Sequence, residues 1–177
     1  MENSVEVRLR KTATIITAKN IGPISVSAFC EKAGVSRASF YLYYKDIDDL
    51  VVKNREYIID KLDEQMNIIF DINYVEYKDK YPIVFTEDDM VLLKGFIGKD
   101  IYWNFAVDAN RIITPRFRKK MIERCGEEYY NENKEKFEFI LNGSVASLCL
   151  DLLNFNKETF IKNMQRITDI VNIIFER

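Results

Sequence analysis

Arg37, Ala38, Ser39, Tyr41, Leu42 and Lys45 are spaced so that one short helix would gather them on a single side. At 100° per residue, Ala38, Tyr41, Leu42 and Lys45 share a face flanked by Arg37 and Ser39, while Phe40 points away from it. Such a face offers a planar guanidinium, hydroxyl groups, a branched apolar tip and an ammonium. Those groups match, respectively, guanine edges, base or phosphate acceptors, thymine methyls and phosphate. Ser25 and Ser27, at the start of the preceding segment, add hydroxyls suited to phosphate. The run Phe40-Tyr41-Leu42-Tyr43-Tyr44 covers every side of a helix with large side chains, so some of them face outward. Water is a poor destination for these unless a partner covers them. The bland alternative is an ordinary aromatic core helix.

The elements that would hold this face in place are legible nearby. Val5, Leu9, Thr12, Ala13 and Ile16 follow helical spacing, and Asn20-Ile21-Gly22-Pro23 stops that first helix. Ser25 caps a second helix in which Val26, Phe29, Cys30 and Ala33 recur at i, i+3, i+4 and i+7, and Gly34 closes it. Ser36 caps the third. Two short helices joined through Ala33-Gly34-Val35-Ser36 have the layout of a helix-turn-helix, with Phe40 packed on Val26, Phe29 and Cys30. Asp46 caps a fourth helix running to about Phe70, and Asp48 and Asp49 complement its positive end.

Composition narrows the function classes. The chain has 177 residues, 47% of them apolar, enough for a real core. Six glycines and three prolines predict an all-α protein. No apolar run reaches the roughly 18 residues needed to span a bilayer, and the N-terminus lacks a signal-peptide core, so a cytoplasmic protein with no membrane partner is expected. Histidine is absent, which removes the commonest general base and metal ligand. Cys30, Cys125 and Cys149 stand far apart with no CxxC pair, so no metal site, cofactor or disulfide framework is called for. An enzyme is accordingly not expected. Residues 1–45 hold seven basic side chains against three acidic ones, on a chain of net charge −2, so a basic head precedes an acidic body.

The segment from Ser25 to Tyr44, with its A-G-V-S turn, the small Ala38 after the capping serine and the F-Y-L-Y-Y ending, followed by an acidic cap and Leu50, resembles the signature of the tetracycline-repressor (TetR) family. The likeness covers about the first 55 residues. It implies contacts to DNA from Arg37, Ala38, Ser39, Tyr41 and Tyr43, a homodimer binding a palindromic operator, and a repressor released by a small-molecule effector. One position departs from the family pattern: Ile47 stands where a phosphate-binding lysine is usual, with Lys45 nearby.

The resulting expectation divides the chain into a helix-turn-helix DNA-binding head (residues 1–50) and a helical effector-binding and dimerisation body (residues 51–177). A helix is predicted to open at Thr86-Glu87-Asp88-Asp89 and reach about Asn110, with another starting at Pro115. Met90, Phe96, Tyr102, Trp103, Phe105, Phe117, Tyr129 and Tyr130 either line an apolar cavity for the effector, with Arg111 as partner to an acidic ligand, or form plain core. Two long helices, about Lys134–Asn154 and Lys157–Glu176, close the chain. From Phe139 to Leu150 no residue is charged, and Phe160, Met164, Ile167, Val171 and Ile174 step by four and three. Together with Gly143 and Leu148 they predict a four-helix dimer interface, the alternative being central helices of a monomer. Three other readings remain open: a ligand- or partner-binding module that no longer binds DNA, a redox sensor acting through Cys125 or Cys149, and an enzyme.

Overall fold

The computed structural model describes residues 5–18, 23–70, 82–97 and 102–175, and these are all-α, with no strand among them. In chain order the helices are α1 (Val5–Ala18), α2 (Val26–Ala33), α3 (Arg37–Tyr41), α4 (Ile47–Ile69), α5 (Glu87–Ile97), α6 (Tyr102–Cys125), α7 (Glu127–Glu132), α8 (Lys134–Leu153) and α9 (Lys157–Phe175). Local chemistry fixes many of their ends. Ser25 Oγ accepts from the Ala28 N–H at 3.2 Å, Ser36 Oγ from the Ser39 N–H at 3.0 Å, and Asp46 Oδ1 from the Asp49 N–H at 2.7 Å. Each takes up a donor that the first helical turn would leave orphaned. At the start of α5, Thr86 and Asp89 cap reciprocally: Asp89 N–H donates to Thr86 Oγ1 at 3.2 Å and Thr86 N–H to Asp89 Oδ2 at 2.9 Å. Gly34 ends α2 in the left-handed region (φ 63°), which lets the Val35 N–H return to the Cys30 carbonyl at 3.0 Å.

Packing divides the chain into two units. The first comprises residues 1–58 and 85–101. Its core is Leu9 and Ala13 of α1, Phe29, Cys30 and Ala33 of α2, Phe40, Tyr44, and Leu50 of α4, with Ile24, Val26, Val35 and Ile47 packed around them. α5 lies along α1 and buries Leu92 and Leu93, so packing does not follow the chain order. The second unit comprises residues 59–84 and 102–177. There Phe70 meets Phe117 edge-on at 4.8 Å, and Tyr130 stacks on Phe137 at 5.5 Å with the rings nearly parallel (5°). Gln65 ties the incoming segment to α4, donating to the Pro82 carbonyl and accepting from the Val84 N–H, both at 3.1 Å.

One boundary differs from the sequence reading. Pro115 lies inside α6 instead of starting a helix. A proline cannot bond to the carbonyl four residues back, here that of Arg111. Arg111 and Pro115 are both exposed, so water can satisfy the freed carbonyl, and the helix passes through.

Candidate nucleic-acid interface

α3 is five residues long, too short to be stable alone, so its orientation is imposed by its surroundings. Phe40 supplies the inner anchor. It is fully buried, with its ring 5.8 Å from Phe29 in an edge-on contact and 5.6 Å from Tyr44. The opposite side is open: Arg37, Ala38 and Lys45 are exposed, as are Tyr41 (49%), Leu42 (81%) and Tyr43 (37%). Ser25, Ser27 and Ser36 are exposed too, and Ser39 is half-buried. The Ser36 and Ser39 hydroxyls lie 2.8 Å apart in a mutual hydrogen bond, so each keeps only part of its capacity for an outside partner.

The helical face expected to run through Lys45 is shorter than its spacing suggested. Leu42 keeps right-handed helical geometry (φ −70°, ψ −26°), but the Tyr43 and Tyr44 N–H groups both converge on the Phe40 carbonyl, each at 3.0 Å. The chain turns there, and Tyr43 and Lys45 project from the turn instead of from the helix.

Two cations from flanking helices hold the ends of this segment. Arg8 of α1 donates from its guanidinium to the Gly34 carbonyl at 2.8 Å, ahead of α3. Lys53 of α4 donates to the Tyr43 carbonyl at 2.8 Å, behind it, and pairs with Asp49 at 3.1 Å. The Lys45 N–H on Asp49 at 2.9 Å, helped by Lys53, holds the Asp49 carboxyl below its usual range. Sequence reasoning missed both clamps. The i,i+4 spacing of Asp49 and Lys53 was a usable signal for one, whereas Arg8 and Gly34, 26 residues apart, gave none. Ile47, half-buried, packs against the core of the first unit, which gives its apolar side chain a structural task. Replacing Arg8 with methionine, which keeps the apolar stem, is expected to lower unfolding free energy by about 1 kcal/mol through loss of the Gly34 bond. Urea denaturation followed by circular dichroism measures this, and an unchanged midpoint would mean the clamp contributes nothing.

The residues expected to line an effector pocket fall in both units. Phe96, buried, and Met90, half-buried, lie in the first unit, whereas Phe105, Phe117 and Tyr130, all buried, belong to the second. Phe117 packs edge-on with Phe137, the ring on which Tyr130 stacks, so these are core aromatics. Arg111 is exposed and pairs with Asp108 at 3.4 Å. The side chains of Tyr102 and Trp103 lie outside the described residues. A cavity of about 450 Å³ in the second unit is lined by none of them. It lies among Asp60, Asp63 and Arg116, where Arg116 bridges Asp60 at 2.7 Å and Asp63 at 3.2 Å. Burial pushes the Asp63 carboxyl up, against the pull of Arg116.

The dimer residues require a correction as well. Leu148, Phe160, Met164, Ile167 and Val171 are buried within the chain itself, because α8 and α9 turn this stripe toward the core of the second unit. What they turn outward is Phe139 (80% exposed), Leu150, Ile170 and Ile173, with exposed Gly143 on the same side of α8 as Phe139 and Leu150. Ile174 has its side chain outside the described residues. No metal-binding group of histidine, cysteine or acidic residues occurs among the described residues, and none of their helices is long and apolar enough to cross a membrane. Comparison with protein-family models, curated proteins and solved structures gave no significant match.

Proposed function

We propose that this chain is a sequence-specific DNA-binding transcriptional regulator of the helix-turn-helix type, related in design to the TetR family and acting as a homodimer. The observation that carries this reading is the two-sided third helix. Phe40 is locked inside, while Arg37, Tyr41 and the 81% exposed Leu42 face outward. A leucine at that exposure beside two open tyrosines is a costly surface in water and a useful one against thymine methyls and sugar rings. Arg37 and Lys45 supply the charge for guanine and phosphate. Phe139, Leu150, Ile170 and Ile173 give α8 and α9 an outward apolar face on which a second copy can sit, setting two heads on a palindrome. A small effector that favours one dimer geometry would release the operator.

A second reading, a partner- or ligand-binding module without DNA affinity, is favoured by Ile47 being committed to the core where a phosphate-binding cation would help. Anisotropy titrations against the DNA upstream of the chain's own gene, across a salt series, separate the two. A regulator shows log K falling linearly with log salt, by about 0.9 per phosphate contacted. No binding at low salt would remove the DNA reading and leave the second. The redox alternative loses one candidate, because burial pushes the Cys149 thiol up to about 12, far from the reactive thiolate.

A further inference from the structure

Within the first unit, α1 and α5 flank a cleft of about 330 Å³. α1 contributes Arg10 and Lys11 to its lining, the first turn of α5 contributes Asp88 and Asp89, and Tyr57 adds aromatic surface. The two inner charges are already engaged. The Arg10 guanidinium bonds Glu6 at 2.9 Å and lies 3.9 Å over the Tyr57 ring, while Asp89, only 3% exposed, accepts from the Thr86 N–H. Lys11 and Asp88 are different. They pair with each other at 3.0 Å, and both side chains are more than half exposed (58% and 52%). An exposed ion pair adds little stability because water and salt screen it, so this one opens easily.

An ammonium and a carboxylate held side by side at a cavity complement a ligand that carries the opposite arrangement on one carbon. A simple anion would gain Lys11 but meet Asp88, and a simple cation would meet the reverse conflict. A compact zwitterion satisfies both through charge-assisted hydrogen bonds. The cleft volume lies near the lower end of small-molecule sites, about 300–1,000 Å³, which suits something the size of one amino acid. We propose that this cleft binds a free α-amino acid, its carboxylate on Lys11, its ammonium on Asp88 and its side chain beside Tyr57. Lys11 lies on the same helix as Arg8, which holds the turn ahead of α3. On the function proposed above, and resting on it, occupancy of the cleft is a route to regulating DNA affinity.

Isothermal titration calorimetry on the full chain tests the site without reference to DNA. The probes are L-phenylalanine, L-leucine and L-glutamine, with 3-phenylpropanoate and 2-phenylethylamine as ligands that each lack one charge. At least one amino acid is expected to bind more tightly than about 1 mM. The single-charge analogues should bind about tenfold or more weakly than L-phenylalanine, and Lys11→Met and Asp88→Asn should each lower affinity for the best amino acid by a similar factor. Both positions are exposed, so neither substitution threatens folding, and Lys119→Met on α6 serves as an unaffected control. The proposal fails if no amino acid of the panel binds, if the single-charge analogues bind as well as the zwitterion, or if both variants bind like wild type. Absence of DNA binding by the wild-type chain would overturn the function proposed above while leaving amino-acid binding by the cleft untouched.

Discussion

Phe40→Ala is expected to cost about 3–5 kcal/mol of stability, the usual range for removing a fully buried phenylalanine. The ring is 0% exposed and touches Phe29 on α2 and Tyr44 beyond α3, so its removal opens a cavity at the one point where the short third helix is anchored. Total stabilities of natural domains run to only about 5–15 kcal/mol, so the loss would take a large share of what holds the first unit together. Leu42→Ala, two residues away, should change stability by no more than about 0.5 kcal/mol, because that side chain is 81% exposed. Urea denaturation of both variants, followed by far-ultraviolet circular dichroism, provides the comparison. Equal costs would mean that the inner and outer sides of α3 have been assigned wrongly.

That contrast also shows which features the sequence makes legible. Caps at Ser25, Ser36, Asp46 and Thr86 depend on residues three positions ahead, so their signals are local and their helices start beside them. The inward direction of Phe40 follows from the same short-range periodicity. Spacing fails where a hydrogen bond redirects the chain, as when the Tyr43 and Tyr44 N–H groups both seek the Phe40 carbonyl and end the helical face early. It fails again at Pro115, where solvent exposure decides whether a helix survives its proline. The largest gap is in the second unit. An apolar stripe such as Phe160, Met164 and Val171 reads the same whether another chain or its own chain covers it, and here its own chain does. The aromatics expected around an effector show the same limit: composition marks them for burial without naming their neighbours. The α1–α5 cleft depends on long-range packing between Lys11 and Asp88, which no local pattern encodes.

On the proposed regulator reading, Arg37→Ala is expected to weaken binding to the preferred operator by about 1–3 kcal/mol, roughly five- to 150-fold. Arg37 is exposed at the first turn of α3, where recognition helices place their base contacts. For a base-reading arginine the loss should be selective: affinity for scrambled DNA falls far less, and discrimination at one base position relaxes. Tyr41→Ala should lower operator affinity too, although its ring also lies 5.5 Å edge-on to Phe40, so its stability must be measured alongside. Lys45→Ala supplies the opposite signature, because a phosphate contact carries no sequence information. It should weaken operator and scrambled DNA equally and reduce the salt slope by about 0.9. Measuring all three variants on both DNAs at two salt concentrations distinguishes reading from anchoring. If Arg37→Ala instead weakens both DNAs alike and lowers the salt slope, Arg37 is a phosphate anchor, and the specificity must come from Tyr41 and Leu42. If none of the three moves either affinity, this surface does not touch DNA and the regulator reading is overturned.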